Sequence, residues 1–262
     1  RSVALGDHVV VNPNDYCGVC RYCRQNLPNQ CENIIALGIH KDGAFAEYCQ
    51  ISEKVAYKID RDIPVEQAAF AEPLACVING TKKVHLQPGE TAAVIGCGPI
   101  GLIMAMMLQR SGAAKIILAD LAPFRLEAAH NLGLGRVVDV RSESLIEVVR
   151  QETGIGVDVV ADMTGSQLPV ALEVVRKNGK VLVFGVNTKA RSDFHQSMIT
   201  FKELTVLGTW LANATFPEAV RVIESGMLNL AGLITETISL GDIHHGLAQL
   251  SRGDAVKIIV KP

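Results

Sequence analysis

The sequence predicts an α/β fold, a doubly wound parallel sheet joined to a smaller β-rich region. Three observations carry this. Six short apolar, β-branched segments (residues 91–95, 115–119, 136–140, 157–161, 180–184 and 204–207) are separated by helix-length stretches. Strands that are apolar on both faces belong to a parallel sheet covered by helices on each side. The turn after the first of them, Gly96-Cys97-Gly98-Pro99-Ile100-Gly101, opens a helix over residues 99–110. The first seventy residues, by contrast, hold short β-like runs broken by Pro, Asn and Gly.

In chain order, residues 7–12, 43–51 and 55–59 are expected strands, and residues 74–85 a helix that stops at the Leu86-Gln87-Pro88-Gly89 turn. The alternation of strand and helix then runs to Gly208. Helices over 217–225 and 242–251 and a last strand over 255–260 follow. The expected organisation is a β domain at 1–72, the doubly wound α/β domain at 73–212, and a return to the β domain at 213–262. The apolar run 91–108 approaches membrane-span length, but Gly96, Gly98, Pro99 and Gly101 interrupt it, so no membrane segment is expected.

A chain of 262 residues has room for one or two compact domains. Its 25 Lys and Arg against 27 Asp and Glu give a net charge of −2, which leaves no basic footprint for nucleic acid. The seven cysteines form an odd set without a signal peptide, which fits a reducing cytoplasm rather than a disulfide framework. The sequence opens on Arg1, its first methionine is Met104, and all four tyrosines lie within the first 57 residues. The expectation from these is a chain cut near its start.

Cys17, Cys20, Cys23 and Cys31 are spaced by two, two and seven residues. Four thiolates so placed can close tetrahedrally on Zn²⁺ in a water-free structural site. An iron–sulfur cluster is the rival, but its usual run continues with three residues and a Cys-Pro pair, whereas Glu32 follows Cys31 here. In the Gly96–Gly101 turn, Gly96 permits the tight bend, Gly98 lets a pyrophosphate approach the backbone, Gly101 allows close packing, and the helix N-terminus favours phosphate. Asp120 ends the next strand, nineteen residues past Gly101. A carboxylate there accepts from both adenosine ribose hydroxyls and repels a 2′-phosphate, so NAD(H) is expected over NADP(H). Arg125 is the competing signal, because an arginine nearby can serve a 2′-phosphate, lie over the adenine or stay solvated.

Glu72, in Ala71-Glu72-Pro73-Leu74, reads from sequence alone as a first-turn acid favoured by the helix dipole. Its other reading is a carboxylate aimed at a metal. His8, in an expected strand, and His85, His130, His244 and His245, on helices, read as ordinary polar positions, with His40 a weak candidate ahead of a strand. Met104–Met107 reads as helix packing, and no Gly-x-Ser-x-Gly elbow is present.

Taken together, the four-cysteine lobe, the AEPL connector, the GCGPIG turn, Asp120 with Arg125, and the VKIIVKP end resemble zinc-dependent medium-chain dehydrogenases, nearest to the sorbitol or polyol branch. The resemblance spans the whole chain. It implies a Rossmann domain inserted in a GroES-like catalytic domain that is only partial here, hydride transfer between NAD(H) and an alcohol or polyol held on zinc, and a homodimer or homotetramer built through the Rossmann domains. By the same resemblance, Cys17, Cys20, Cys23 and Cys31 hold the structural zinc, and Ile100, Asp120 and Arg125 contact NAD. Phe184, Gly185, Val186 and Trp210 line the nicotinamide, and Glu72 belongs to the catalytic metal site, which reverses its plainer reading. Threonine dehydrogenases carry Asp-Pro where Glu72-Pro73 stands, which favours the polyol branch, while Leu211-Ala212 departs from the Arg-Tyr pair of sorbitol dehydrogenases. The family's catalytic cysteine and Gly-His-Glu segment do not precede Cys17. The alternatives are a non-catalytic NAD-binding protein of this fold, a threonine dehydrogenase-like enzyme, and a zinc-free quinone reductase, the last disfavoured by the cysteine lobe.

Overall fold

The structure, a computed structural model, describes residues 2–262, and Arg1 lies outside the described residues. The chain forms two compact units. The first comprises the residues up to Asn79 with Trp210–Arg252 and Lys257–Pro262, and the second comprises Gly80–Thr209 with Gly253–Val256. The division thus falls inside a helix at residues 79 and 80 and again after residue 209, where the sequence placed 72 and 212.

In the first unit, β1 (Val9–Val11) and β2 (Asn14–Asp15) precede α1 (Arg21–Arg24), β3 (Ile35–Ala36), β4 (Ala56–Lys58), α2 (Val65–Ala68) and α3 (Ala71–Val84). β1 pairs antiparallel with β4, and β2 with β3. His8 immediately precedes β1 instead of lying in it. The expected strand at 43–51 does not form, and Phe45 and Tyr48 are exposed. Its alternating pattern suits a strand, but a strand needs a neighbour for its backbone groups, and none pairs with it among the described residues. α3 starts three residues earlier than expected and buries Leu74, Ala75 and Val77 completely.

The second unit holds β5 (Thr91–Ile95), α4 (Pro99–Arg110), β6 (Lys115–Asp120), α5 (Pro123–Asn131), β7 (Arg136–Asp139), α6 (Leu145–Thr153), β8 (Val157–Asp162), α7 (Leu168–Val174), β9 (Val175–Val183), α8 (Ser197–Phe201) and β10 (Thr205–Gly208). Its six strands are all parallel, in the order β10-β9-β8-β5-β6-β7. The order reverses direction between β5 and β8, the crevice where such sheets bind ligands. Ala93, Ile117, Val138, Val160 and Val181 form part of its buried core. α4 buries Leu102, Ile103, Met104, Ala105, Met106 and Leu108, so the methionine run is packing. β9 begins five residues before the expected start at 180, because Arg176, Lys177 and Asn178 hid its first half behind a polar pattern.

The chain then returns to the first unit through α9 (Phe216–Glu224), β11 (Ile234–Ser239), α10 (Ile243–Arg252) and β12 (Lys257–Lys261). β11 pairs parallel with β12 and was not expected from the sequence. Tyr57 of β4 stacks on Phe216 of α9 with ring centroids 5.2 Å apart, and Lys261 pairs with Glu66. No helix among the described residues is long and apolar enough to cross a membrane.

Candidate functional site

The turn around α1 brings the Cys17, Cys20, Cys23 and Cys31 sulfurs within 4.8 Å of one another. Cys17 and Cys31 are 3.6 Å apart, and the Cys17–Cys23 and Cys20–Cys31 pairs are each 4.0 Å apart. Four sulfurs at about 2.3 Å from a tetrahedral zinc lie about 3.8 Å from one another, so the cluster has the size of a zinc shell. Backbone N–H groups of Val19 (3.5 Å) and Cys20 (3.3 Å) donate to Cys17 Sγ, and those of Cys17 and Asn33, both 3.3 Å away, donate to Cys31 Sγ. The Val19 and Cys20 amides hold the Cys17 thiol down at about 6. Desolvation, then the Cys20 thiol beside it, pushes Cys23 up to about 12. Four such groups ionise together only around a cation, which the donor set fits.

The second site lies in the other unit, at the C-terminal edge of its sheet. A cavity of about 640 Å³ is lined by Gly96, Gly98, Ile100, Gly101, Asp120 and Arg125, among others. Gly96 adopts φ +105°, a left-handed conformation that turns β5 into α4. A Cβ on Gly98 would meet no protein atom within 4 Å, so the space that a side chain would fill is open for a ligand. No side chain caps α4, and Pro99 stands at its first turn, which leaves the Ile100 and Gly101 amides beside an open anion-sized space. Asp120 is fixed by three backbone donors, Cys97 N–H at 2.6 Å, Leu121 N–H at 2.7 Å and Ala122 N–H at 2.8 Å. Across the mouth, Arg125 keeps a buried Nε without a partner. Burial, reinforced by the Asp120 charge, pushes the neighbouring Cys97 thiol up to about 12, which keeps it inert. An uncapped helix start, a carboxylate at the next strand end and an orphaned guanidinium nitrogen fit a dinucleotide.

Other expected site residues are not gathered there. Phe184, Gly185 and Val186 follow β9 in the same unit without lining this cavity. Trp210 belongs to the first unit, where its carbonyl accepts from Asn29 Nδ2 at 2.8 Å. Glu72 lines a separate cavity of about 620 Å³ in that unit, with His8 and several apolar side chains, and accepts from Cys76 Sγ at 3.3 Å. Among the described residues, the four cysteines are the one group of His, Cys, Asp and Glu side chains able to hold a metal, and Glu72 is outside it. The residues present do not assemble a second metal shell around Glu72. Sequence reasoning missed Thr164 and Gln167, which line this cavity, and Asp162, which bonds to both.

Two family models match this chain, the zinc-binding dehydrogenase domain over residues 99–225 and the alcohol dehydrogenase GroES-like domain over residues 1–61. An L-threonine 3-dehydrogenase of Caldanaerobacter subterraneus is 33% identical over 267 residues, covering 100% of this chain and 77% of that protein. A sorbitol dehydrogenase of Bacillus subtilis is 30% identical over 264 residues, covering 98% and 75% respectively. A solved zinc-binding dehydrogenase of Sinorhizobium meliloti, bound to NADP, superposes with a TM-score of 0.93 at 28% identity, covering 100% of this chain and 78% of that one.

Proposed function

As a member of the zinc-dependent medium-chain alcohol dehydrogenases, the chain is an oxidoreductase of CH–OH groups, and we propose that it oxidises a polyol or related secondary alcohol with NAD as its cofactor. The observation that carries the choice of NAD is Asp120, a carboxylate fixed at the end of β6 inside the dinucleotide cavity.

The proposed roles follow from the geometry. The uncapped start of α4 and the open face of Gly98 bind the pyrophosphate. Asp120 would accept from the adenosine ribose hydroxyls, and the Arg125 guanidinium, which lines the same cavity with its Nε unpaired, would hold the adenine end. Phe184, Gly185 and Val186, which follow the neighbouring strand β9, are assigned to the nicotinamide end. NAD⁺ held there would supply the hydride acceptor for oxidation of a carbinol to a carbonyl. The Cys17, Cys20, Cys23 and Cys31 thiolates would hold a zinc that cross-links their loop. Glu72 is retained as a candidate ligand of a catalytic metal whose other ligands the described residues do not supply.

Two smaller proposals accompany this one. Self-association is assigned to β10, an edge strand with a neighbour on one side only that carries the partly exposed Val206. The cytoplasm, a reducing compartment, is the proposed location, because four cysteines assigned to zinc must stay as thiolates. The substrate test is turnover of a panel of polyols, simple secondary alcohols and L-threonine with NAD⁺. The reading expects polyols to be the better substrates, whereas exclusive use of L-threonine would transfer the chain to the threonine branch despite Glu72-Pro73.

A further inference from the structure

We propose that Asp162 is the positioning residue of the dinucleotide cavity, a buried carboxylate whose task is to lock together the loops that form its wall. This rests on the reading of that cavity as the NAD site. Asp162 ends β8 and is 0% exposed. A carboxylate is expensive to bury without a counter-ion or a full set of donors. No ion pair reaches it among the described residues, yet four donors converge on it. Oδ1 accepts from Thr164 N–H at 2.9 Å, Thr164 Oγ1 at 2.7 Å and Gly165 N–H at 3.0 Å, while Oδ2 accepts from Gln167 N–H at 2.9 Å.

The backbone of the same residue ties a second loop. Its carbonyl accepts from Phe184 N–H at 2.9 Å and Gly185 N–H at 3.1 Å, the segment assigned to the nicotinamide. The two loops pack backbone against backbone, where a Cβ on Gly165 would stand 2.3 Å from Gly185 O. Met163 N–H donates to Ile95 O at 2.9 Å, which joins this hub to the strand ahead of the glycine-rich turn. Met163, Thr164 and Gln167 then face the cavity, with the Thr164 methyl 3.0 Å from where a Cβ on Gly96 would lie. Every polar partner of the side chain is a donor, which explains an acid rather than an amide. In Asp162→Asn, the NH₂ would take the place of one oxygen and leave a donor facing a donor.

The test compares NADH affinity across three variants. Asp162→Asn is expected to weaken NADH binding about tenfold or more, the effect of losing a buried bond to a charged acceptor. Asp158→Asn is the control for simple destabilisation. It lies at the other end of β8, bonded to Thr91 and Arg176 and outside the cavity, so it should lower thermal stability and leave NADH affinity unchanged. Thr164→Val removes the hydroxyl bond to Asp162 together with its two bonds to Ser166 and keeps the Thr164 and Gly165 amides on the carboxylate, and it is expected to weaken binding severalfold in a chain that folds normally. NADH affinity unchanged in Asp162→Asn, or in Thr164→Val should the first variant not fold, would overturn the assignment. A wild-type chain unable to bind NADH would instead remove the cofactor reading itself.

Discussion

Replacing Gly98 with alanine should separate cofactor binding from folding. Gly98 has φ −65° and ψ 176°, a conformation any L-residue adopts, and a Cβ there would touch no protein atom within 4 Å. Restricting the unfolded chain stabilises by about 0.4–1 kcal/mol, and placing alanine at a helix N-cap costs a similar amount. The net change is then within about 1 kcal/mol, or a thermal midpoint within about 4 °C of wild type. The added methyl would occupy the space given to the pyrophosphate. Overpacking at that level costs about 1–3 kcal/mol, a roughly fivefold to hundredfold loss in NADH affinity. The assay is a fluorescence titration with NADH, run beside thermal unfolding. Gly101→Ala is the contrast, because its Cβ would fall 1.8 Å from Gly96 O and the fold itself should suffer. A Gly98→Ala chain that folds and binds NADH as wild type does would refute the placement of the pyrophosphate.

Three further predictions follow from the same geometry. Metal analysis should find zinc bound at the four cysteines, and Cys31→Ser or a strong chelator should lower the thermal midpoint as the loop loses its cross-link; iron at this site would reject the assignment. Asp120→Ala should weaken NADH binding and narrow the preference over NADPH, and an unchanged preference would show that this carboxylate does not choose the cofactor. Burial pushes Asp158 up, but bonds from Thr91 and the Arg176 guanidinium outweigh it and leave the carboxyl below its ordinary value. Its stabilisation is therefore present above the ordinary carboxylate pKa near about 4 and is lost as pH falls through the lower folded value, so the midpoints of wild type and Asp158→Asn should converge in acid.

The parallel sheet was legible because its central strands are apolar on both faces, a pattern that surface strands do not carry, and five of the six expected strands matched closely. The exceptions share one cause. β11 reads Ile-Thr-Glu-Thr-Ile-Ser, a half-exposed strand whose polar positions masked its period. Residues 43–51 show the same period without a partner strand, because local alternation says nothing of what lies alongside. At the site, the gathering of Gly96, Gly98 and Asp120 around one cavity was legible because a glycine-rich strand-to-helix turn and an acid ending the next strand both fall at the C-terminal edge of a parallel sheet. Asp162 was not, since an acid at a strand end looks like any surface acid until burial shows four donors pointing at it. Trp210 and Glu72 rest on the resemblance, since neither lines the dinucleotide cavity.

The most direct test is a paired titration of the purified chain with NADH and NADPH. Saturable binding of one NADH per chain, with NADPH about tenfold or more weaker because the Asp120 carboxylate opposes a 2′-phosphate, is the predicted result. NADPH binding as tightly as NADH, or no saturable binding of either, would contradict the assignment of this cavity to NAD.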